Sequence, residues 1–429
     1  MKKKYRIILY TSIFLLCVVA SIILVVKKSN SVYEEESKPK VVKHKSMLSM
    51  NLEQTAGAGD YKTVTQSKWP TEGYKFNAEL SRCENGSTLS WDDTKKAVIV
   101  SGNLSDKCYV YFDIYQPTLA EYIKSQYTGT QGENNIYYHD SDLANGAGDN
   151  SYRYAGANPN NFVCFGSDTS PCPTDNLYRI IGVFGENYHG VTGKQLVKLI
   201  KYDYMTTDEL GTDGDYSQTY KEWGMDSTYK GTYGDGERIG VYYWNYKATG
   251  SATNTWSTSL LNKTNLNTNF INNIGTTWAN KIATVTWKVG GNTFANISDV
   301  VPATTYQNEI VNPVTTNTTD NATTYSAKIG LMYVSDYGFA ASPDAWTLTM
   351  SSYNNTTATN NNWMYMGLYE WTISRNEDYS DFAFCVNYVG YVYYDGVYFN
   401  RGVRASFSLE SSVSYVSGSG SMSDPIVIN

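Results

Sequence analysis

Histidine is scarce: the 429-residue chain holds three, His44, His139 and His189. No pair of thiols is spaced with them as zinc ligands are, so the sequence offers no zinc site. Charged residues make up 17% of the chain and the net charge is −7. No basic tract lies beyond the N-terminal linker, which excludes nucleic acid as a partner. A Gly-x-Ser-x-Gly elbow is missing, and no activated cysteine accompanies His139 or His189. Surface or loop histidines are the expectation. The chain also lacks a Leu-Pro-x-Thr-Gly sorting signal.

Long apolar runs are missing too, with one exception. Lys2, Lys3, Lys4 and Arg6 precede a stretch from Ile7 to Val26, which Lys27 and Lys28 close. At the helical rise it would be roughly 30 Å long, the thickness of a bilayer core. Glu34, Glu35 and Glu36 follow, so the charge bias predicts residues 1–28 as a signal-anchor with the N-terminus in the cytoplasm and the main body outside. This makes the expected protein a single-pass cell-membrane protein whose N-terminal helix has the membrane as partner. Val18-Val19-Ala20 is a weak cleavage site, and Phe14, Leu15 and Leu16 ahead of Cys17 lack the small residue of a lipoprotein site.

Against these absences, 39 tyrosines and 34 glycines stand out, with abundant Asn and Thr. Tyr and Thr favour strands, while Asn and Gly favour turns, so the body reads as β-rich with many loops. A hydrophobic share of 41% suffices for one large or two modest cores. Residues 29–75 lack apolar periodicity and read as a flexible stalk. Residues 76–115 read as a small β unit, in which Leu89-Ser-Trp91, Ala97–Val100 and Cys108–Phe112 are strand-like. Cys83 and Cys108 flank it, and Cys164 and Cys172 flank a short loop, which makes two plausible local disulfides in an oxidising compartment. Cys385 is left over as a buried thiol.

Residues 116–429 form the third segment. Thr118-Leu-Ala-Glu121 has capping-box spacing and opens a helix. A second helix is expected from Trp256 to Ile274, with Leu260 on the apolar arc and Leu261 off it. Residues 283–289 and 293–297 read as a hairpin about Gly290-Gly291-Asn292. Near the end, Asp395-Gly396 reads as the turn between Tyr391–Tyr394 and Val397–Phe399, within an antiparallel meander. Two helices and a meander make the expected class α+β.

Trp371-Thr-Ile-Ser-Arg375, that hairpin, and Gly402-Val403-Arg404 resemble the closing half of the C-type-lectin-like fold, which serves variable receptors and formylglycine-generating enzymes. More closely, the pattern resembles a family of uncharacterised Gram-positive surface proteins. Lys328–Tyr337, Cys83-Glu-Asn-Gly-Ser, Lys107–Phe112 and Tyr178–Phe184 are similar to segments of that family. The resemblance implies the C-type-lectin-like fold over residues 116–429 and an envelope location, without a known reaction. The reactive cysteine pair of the enzymes is missing, and so are the Glu-Pro-Asn and Trp-Asn-Asp triplets of calcium-dependent lectins.

The candidate ligand-binding residues are aromatic. Trp363, Tyr365, Tyr369 and Trp371 precede the meander, and Tyr391, Tyr393, Tyr394 and Tyr398 lie within it. Such rings suit sugars and protein partners alike. Tyr394 and Tyr398 lead, with Tyr393, Trp371 and Arg375 beside them; core packing is the competing role for Trp371, and strand pinning for Arg404. Asp140, Asp142 and Asp149, then Asp213 and Asp215, then Asp235 and Glu237 supply loop carboxylates. They miss the calcium-loop register, and calcium or any other cofactor has no support. Binding of an envelope or host glycan, or of a surface protein, is the expected function. A hydrolase using those carboxylates and a purely structural surface component are the alternatives.

Overall fold

The computed structural model describes residues 48–429 apart from 66–67, 72, 104, 214–215, 220–228, 235–237, 248–249, 314–321 and 355. The chain divides between Tyr115 and Gln116 into two units.

The smaller unit is a four-stranded sheet and a separate hairpin. Cys108–Ile114 is its central strand, parallel to Leu48–Glu53 and antiparallel to Tyr74–Cys83. Alternation decides its facing: Cys108, Val110 and Phe112 are buried, with Tyr109 and Tyr111 between them on the other side. The rings of Trp69, Phe76 and Trp91 lie 5.7–5.9 Å from that of Phe112. Cys83 stands opposite Cys108 in the ladder, and the two form a disulfide. Residues 48–53 and 61–64, read from sequence as stalk, are strands, and Met50 and Leu52 belong to the core. The Gly-containing turn between them, residues 54–60, hides a short alternation of Leu48, Met50 and Leu52.

The larger unit is built on two seven-stranded sheets. In the first, Leu177–Phe184 and Leu196–Lys201 pair antiparallel and are buried along their whole length. Ser151–Tyr154 and Ile136–His139 extend it on one side, Ser406–Ser408 and Ile329–Gly330 on the other. Gly182 lies at a bulge, where a Cβ would stand 2.2 Å from the Tyr152 carbonyl oxygen, so no larger residue fits. The Cys164–Cys172 disulfide closes the loop ahead of Leu177. In the second sheet the order is Tyr216–Thr219, Gly240–Tyr243, Asn400–Gly402, Glu370–Asn376, Phe382–Val386 and Val392–Gly396. Gly291–Asn292 also pairs with the end of Glu370–Asn376.

The expected α+β class is corrected, because sheet dominates the described chain. Among the described residues the longest α-helices, Leu119–Ser125 and Val334–Ala340, have seven residues each. The first is opened by the Thr118–Glu121 capping box. The expected helix over 256–274 breaks into a short turn at Trp256–Thr258 and a wide π-wound segment, Leu261–Phe270. Its i→i+5 bonding changes which face is buried. Leu261, Asn265, Leu266 and Phe270 point inward, and Leu260 is only half-buried.

The expected C-terminal meander of a C-type-lectin-like domain is also corrected. Val392–Gly396 pairs back onto Phe382–Val386, so the hairpin turn falls at Asn387–Tyr391. Asp395-Gly396 closes that strand instead of turning a hairpin with Val397–Phe399. Asn400–Gly402 pairs with Gly240–Tyr243, while Ser406–Ser408 pairs with Leu196–Lys201 in the other sheet. The expected 283–297 hairpin is absent as well: Val285–Lys288 pairs with Thr324–Ala327, and Phe294–Ile297 is helical.

The expected anchor at residues 7–26 lies outside the described residues. Among those described, no helix is long and apolar enough to cross a membrane. That finding corrects the single-pass membrane localisation drawn from the sequence.

Candidate functional site

The strand Val392–Gly396 is an outer one of its sheet, and Tyr393 is the most open aromatic among the described side chains of that sheet. Tyr393 is 42% exposed and Tyr394 half-buried. Successive residues of a strand start on opposite faces. Here the two rings nevertheless lie 4.9 Å apart and within 9° of parallel. They meet beside a strand that, among the described residues, pairs with no further strand at its edge. Phe294 packs edge-on against both, at 6.1 and 5.6 Å, and Phe382 against Tyr394 at 5.4 Å. Tyr379, 50% exposed, stacks on Tyr394 at 5.9 Å. The result is a cluster of stacked and edge-on rings in which Tyr379 and Tyr393 stay exposed.

Tyr398 is exposed on the turn that follows, where Phe399 N–H donates to the Gly396 carbonyl at 2.9 Å. Its ring lies over Gly396, where a Cβ would come within 2.7 Å of it. Phe399 is 5.0 Å from Tyr398, and Arg401 lies over both Phe399 and Tyr369. Arg401 is held in turn by Asp395, with Nε 3.1 Å from Oδ2.

Trp371 and Arg375 do not belong to this surface. Trp371 is wholly buried and its Nε1 donates to the Tyr242 carbonyl at 2.9 Å. Arg375 is buried and its Nε donates to the Val289 carbonyl at 2.8 Å. Neither presents a face to a ligand, so the binding role expected of them is withdrawn. Both sit on Glu370–Asn376, a strand buried along its whole length, where alternation gives no open side.

Asp140, Asp149 and Asp213 are engaged elsewhere, and Asp142 is exposed. Asp149 is paired with buried Arg153 at 2.7 Å. Asp140 accepts the backbone N–H groups of Asp142 and Leu143, an Asx turn. Asp213 accepts from Asn269 at 2.8 Å. Asp215, Asp235 and Glu237 lie outside the described residues. Among the described residues no three His, Cys, Asp or Glu side chains gather as metal ligands. The histidines are interior: Nδ1 of His139 accepts the Ala147 N–H, and Nδ1 of His189 the Val191 N–H, both at 3.0 Å. His44 lies outside the described residues.

A cleft of about 240 Å³ in the larger unit was not foreseen from sequence. Phe162, Tyr202, Trp363 and Tyr365 form its walls, with Arg179 and Lys230 among its lining residues. The signal for it was present: Arg179 is a cation in the otherwise uncharged strand Leu177–Phe184, which is buried throughout.

Comparison with models of known protein families, with curated proteins and with solved structures finds no match. The reading of the site therefore rests on its own chemistry.

Proposed function

We propose that the chain is a binding module whose ligand is a glycan, taken on the aromatic surface around Tyr393 and Tyr394. The observation that carries this reading is the nearly parallel pair of rings on an outer strand, one of them 42% exposed, with Tyr379 stacked beside them. Folded proteins seldom leave large clustered rings open unless something covers them. An exposed tyrosine ring, apolar on its face and bearing a hydroxyl at its edge, suits a pyranose ring, which has C–H groups on its faces and hydroxyls around its edge. A surface protein is the second candidate partner for the same rings.

The test is a glycan array probed with the full chain, followed by titration of any hit. Saturable binding that weakens at least about fivefold in Tyr393→Ala supports the proposal. Binding unchanged by Tyr393→Ala and Tyr379→Ala removes this surface from consideration, and binding to no glycan overturns the ligand class.

A further inference from the structure

We propose that the cleft beside Arg179 is a second binding site, for a carboxylate-bearing sugar. Arg179 is 5% exposed and lies between two rings, 4.3 Å from the centre of Phe162 and 4.7 Å from that of Trp363. Its Nε donates to Asn161 Oδ1 at 2.7 Å and its Nη2 to the Pro159 carbonyl at 3.0 Å. Both acceptors are neutral, and Nη1 makes no hydrogen bond.

Several enclosed cations of this unit show what is missing. Arg153, Lys198, Lys201, Arg401 and Arg404 each hold a carboxylate, from Asp149, Asp336, Glu209, Asp395 and Glu370. Among the described residues no acid pairs with Arg179. Burial pushes its guanidinium down to about 9, and the charge of Arg404 pushes the same way. A buried charge without a counter-charge is costly, and this one lines an open cleft. Lys230 is the second cation there. It lies 4.4 Å above the Tyr365 ring and donates to the Thr359 carbonyl at 3.1 Å, again a neutral acceptor.

Those two charges call for an anion, and the planar fork of Arg179 suits a carboxylate. Attraction cannot come from the molecule as a whole, whose net charge is −7. The remaining lining selects the class of ligand. Aromatic walls suit a ring, and the side-chain amides of Asn158 and Asn160 are exposed, lacking protein partners, and free to bond hydroxyls. An acidic peptide would draw on the same charges but would leave the amides and walls with less to do. None of this depends on the Tyr393 surface, so the two readings can fail separately.

The test titrates the full chain at physiological salt with glucuronate, a glucuronate-terminated oligosaccharide, glucose, acetate and an acidic tripeptide. It is read by calorimetry and by the Arg179 Nε–H resonance. The expected result is saturable binding of glucuronate or its oligosaccharide that moves that resonance, with the tighter of the two identifying a free sugar or a glycan end. Lys230→Gln should weaken it at least about fivefold, while Tyr393→Ala leaves it unchanged. Should Arg179→Lys fail to fold, Lys230→Gln decides. Equal binding of glucose, equal binding of acetate, tighter binding of the tripeptide, no binding at all, or an unaltered affinity in Lys230→Gln would each overturn the proposal.

Discussion

Arg404 grips both carboxylate oxygens of Glu370, Nε at 2.8 Å and Nη2 at 2.9 Å, with both side chains buried. Glu370 begins a strand of the second sheet, and Arg404 sits where the chain passes from that sheet, at Gly402, to the first, at Ser406. The pair therefore fixes the crossing. Arg404 Nη2 also donates to the Met364 carbonyl at 2.7 Å. Glu370→Ala would strand an enclosed cation and should cost about 3–5 kcal/mol. The double variant Glu370→Leu with Arg404→Met should lose less than either single change, because neither charge is left alone. Denaturant melts of the three variants check this, and additive losses would refute it.

Glu309 gives stability a dependence on pH. Burial pushes its carboxyl up to about 7, although Val334 N–H, Ser335 N–H and the Ser374 hydroxyl all donate to it. Between pH 4.5 and 7 the native state keeps a proton that the unfolded chain has released. The contribution is thus fully present below about pH 4.5 and is lost as pH rises through 7, by up to about 3 kcal/mol. The stability of Glu309→Gln should lack that fall, which paired denaturation curves across the window will show.

His139 works in the opposite sense. Burial, and the neighbouring charge of Arg153, hold its imidazole well below 6.5. Because Nδ1 accepts the Ala147 N–H, the ring proton sits on Nε2, among the rings of Phe339 and Trp346. The unfolded chain takes up a proton below about pH 6.5 that the folded chain refuses, so this contribution is present above that pH and lost below it. In the folded protein the ring resonances of His139 should stay unshifted as pH falls through 6.5. A titration midpoint near the ordinary histidine value would show that the ring reaches water.

The disulfides differ in what they hold. Cys83–Cys108 joins facing positions of two strands in a unit whose core rests on four buried side chains, Met50, Leu52, Val110 and Phe112. A unit so small depends on such a staple. Cys83→Ser with Cys108→Ser should cost about 3 kcal/mol. The same exchange at Cys164 and Cys172 opens a shorter loop, packed against a much larger core, so it should cost less. Thermal melts of the two double variants check the order.

Local chemistry was legible in the sequence and partner choice was not. The Thr118–Glu121 box and the two short cysteine spacings depend on residues close in the chain, and each could be read directly. Asp395-Gly396 had the composition of a hairpin turn, yet Val392–Gly396 found its partner upstream in Phe382–Val386, a decision made by packing. Leu261 was assigned outward because a regular helix was assumed, and π winding turned it in. Aromatic density singled out this stretch of chain but could not separate Trp371, in a strand buried throughout, from Tyr393 on an outer strand. Arg179 could have been found, since a cation inside an apolar strand always asks for a partner.

That separation gives the last prediction, a contrast between two aromatics only 22 residues apart. Trp371 is fully buried and bonded to the Tyr242 carbonyl, so Trp371→Ala removes a large side chain from a packed interior. The cost should be about 3–5 kcal/mol. Tyr393 is open on one side, and Tyr393→Ala should change stability by no more than about 0.5 kcal/mol. If its ring carries a ligand, the same change should still lose at least about 1 kcal/mol of affinity. Loss of affinity without loss of stability is the mark of a surface contact, while a loss of several kcal/mol in both variants would mean that the Tyr393–Tyr394 stack supports the sheet edge instead.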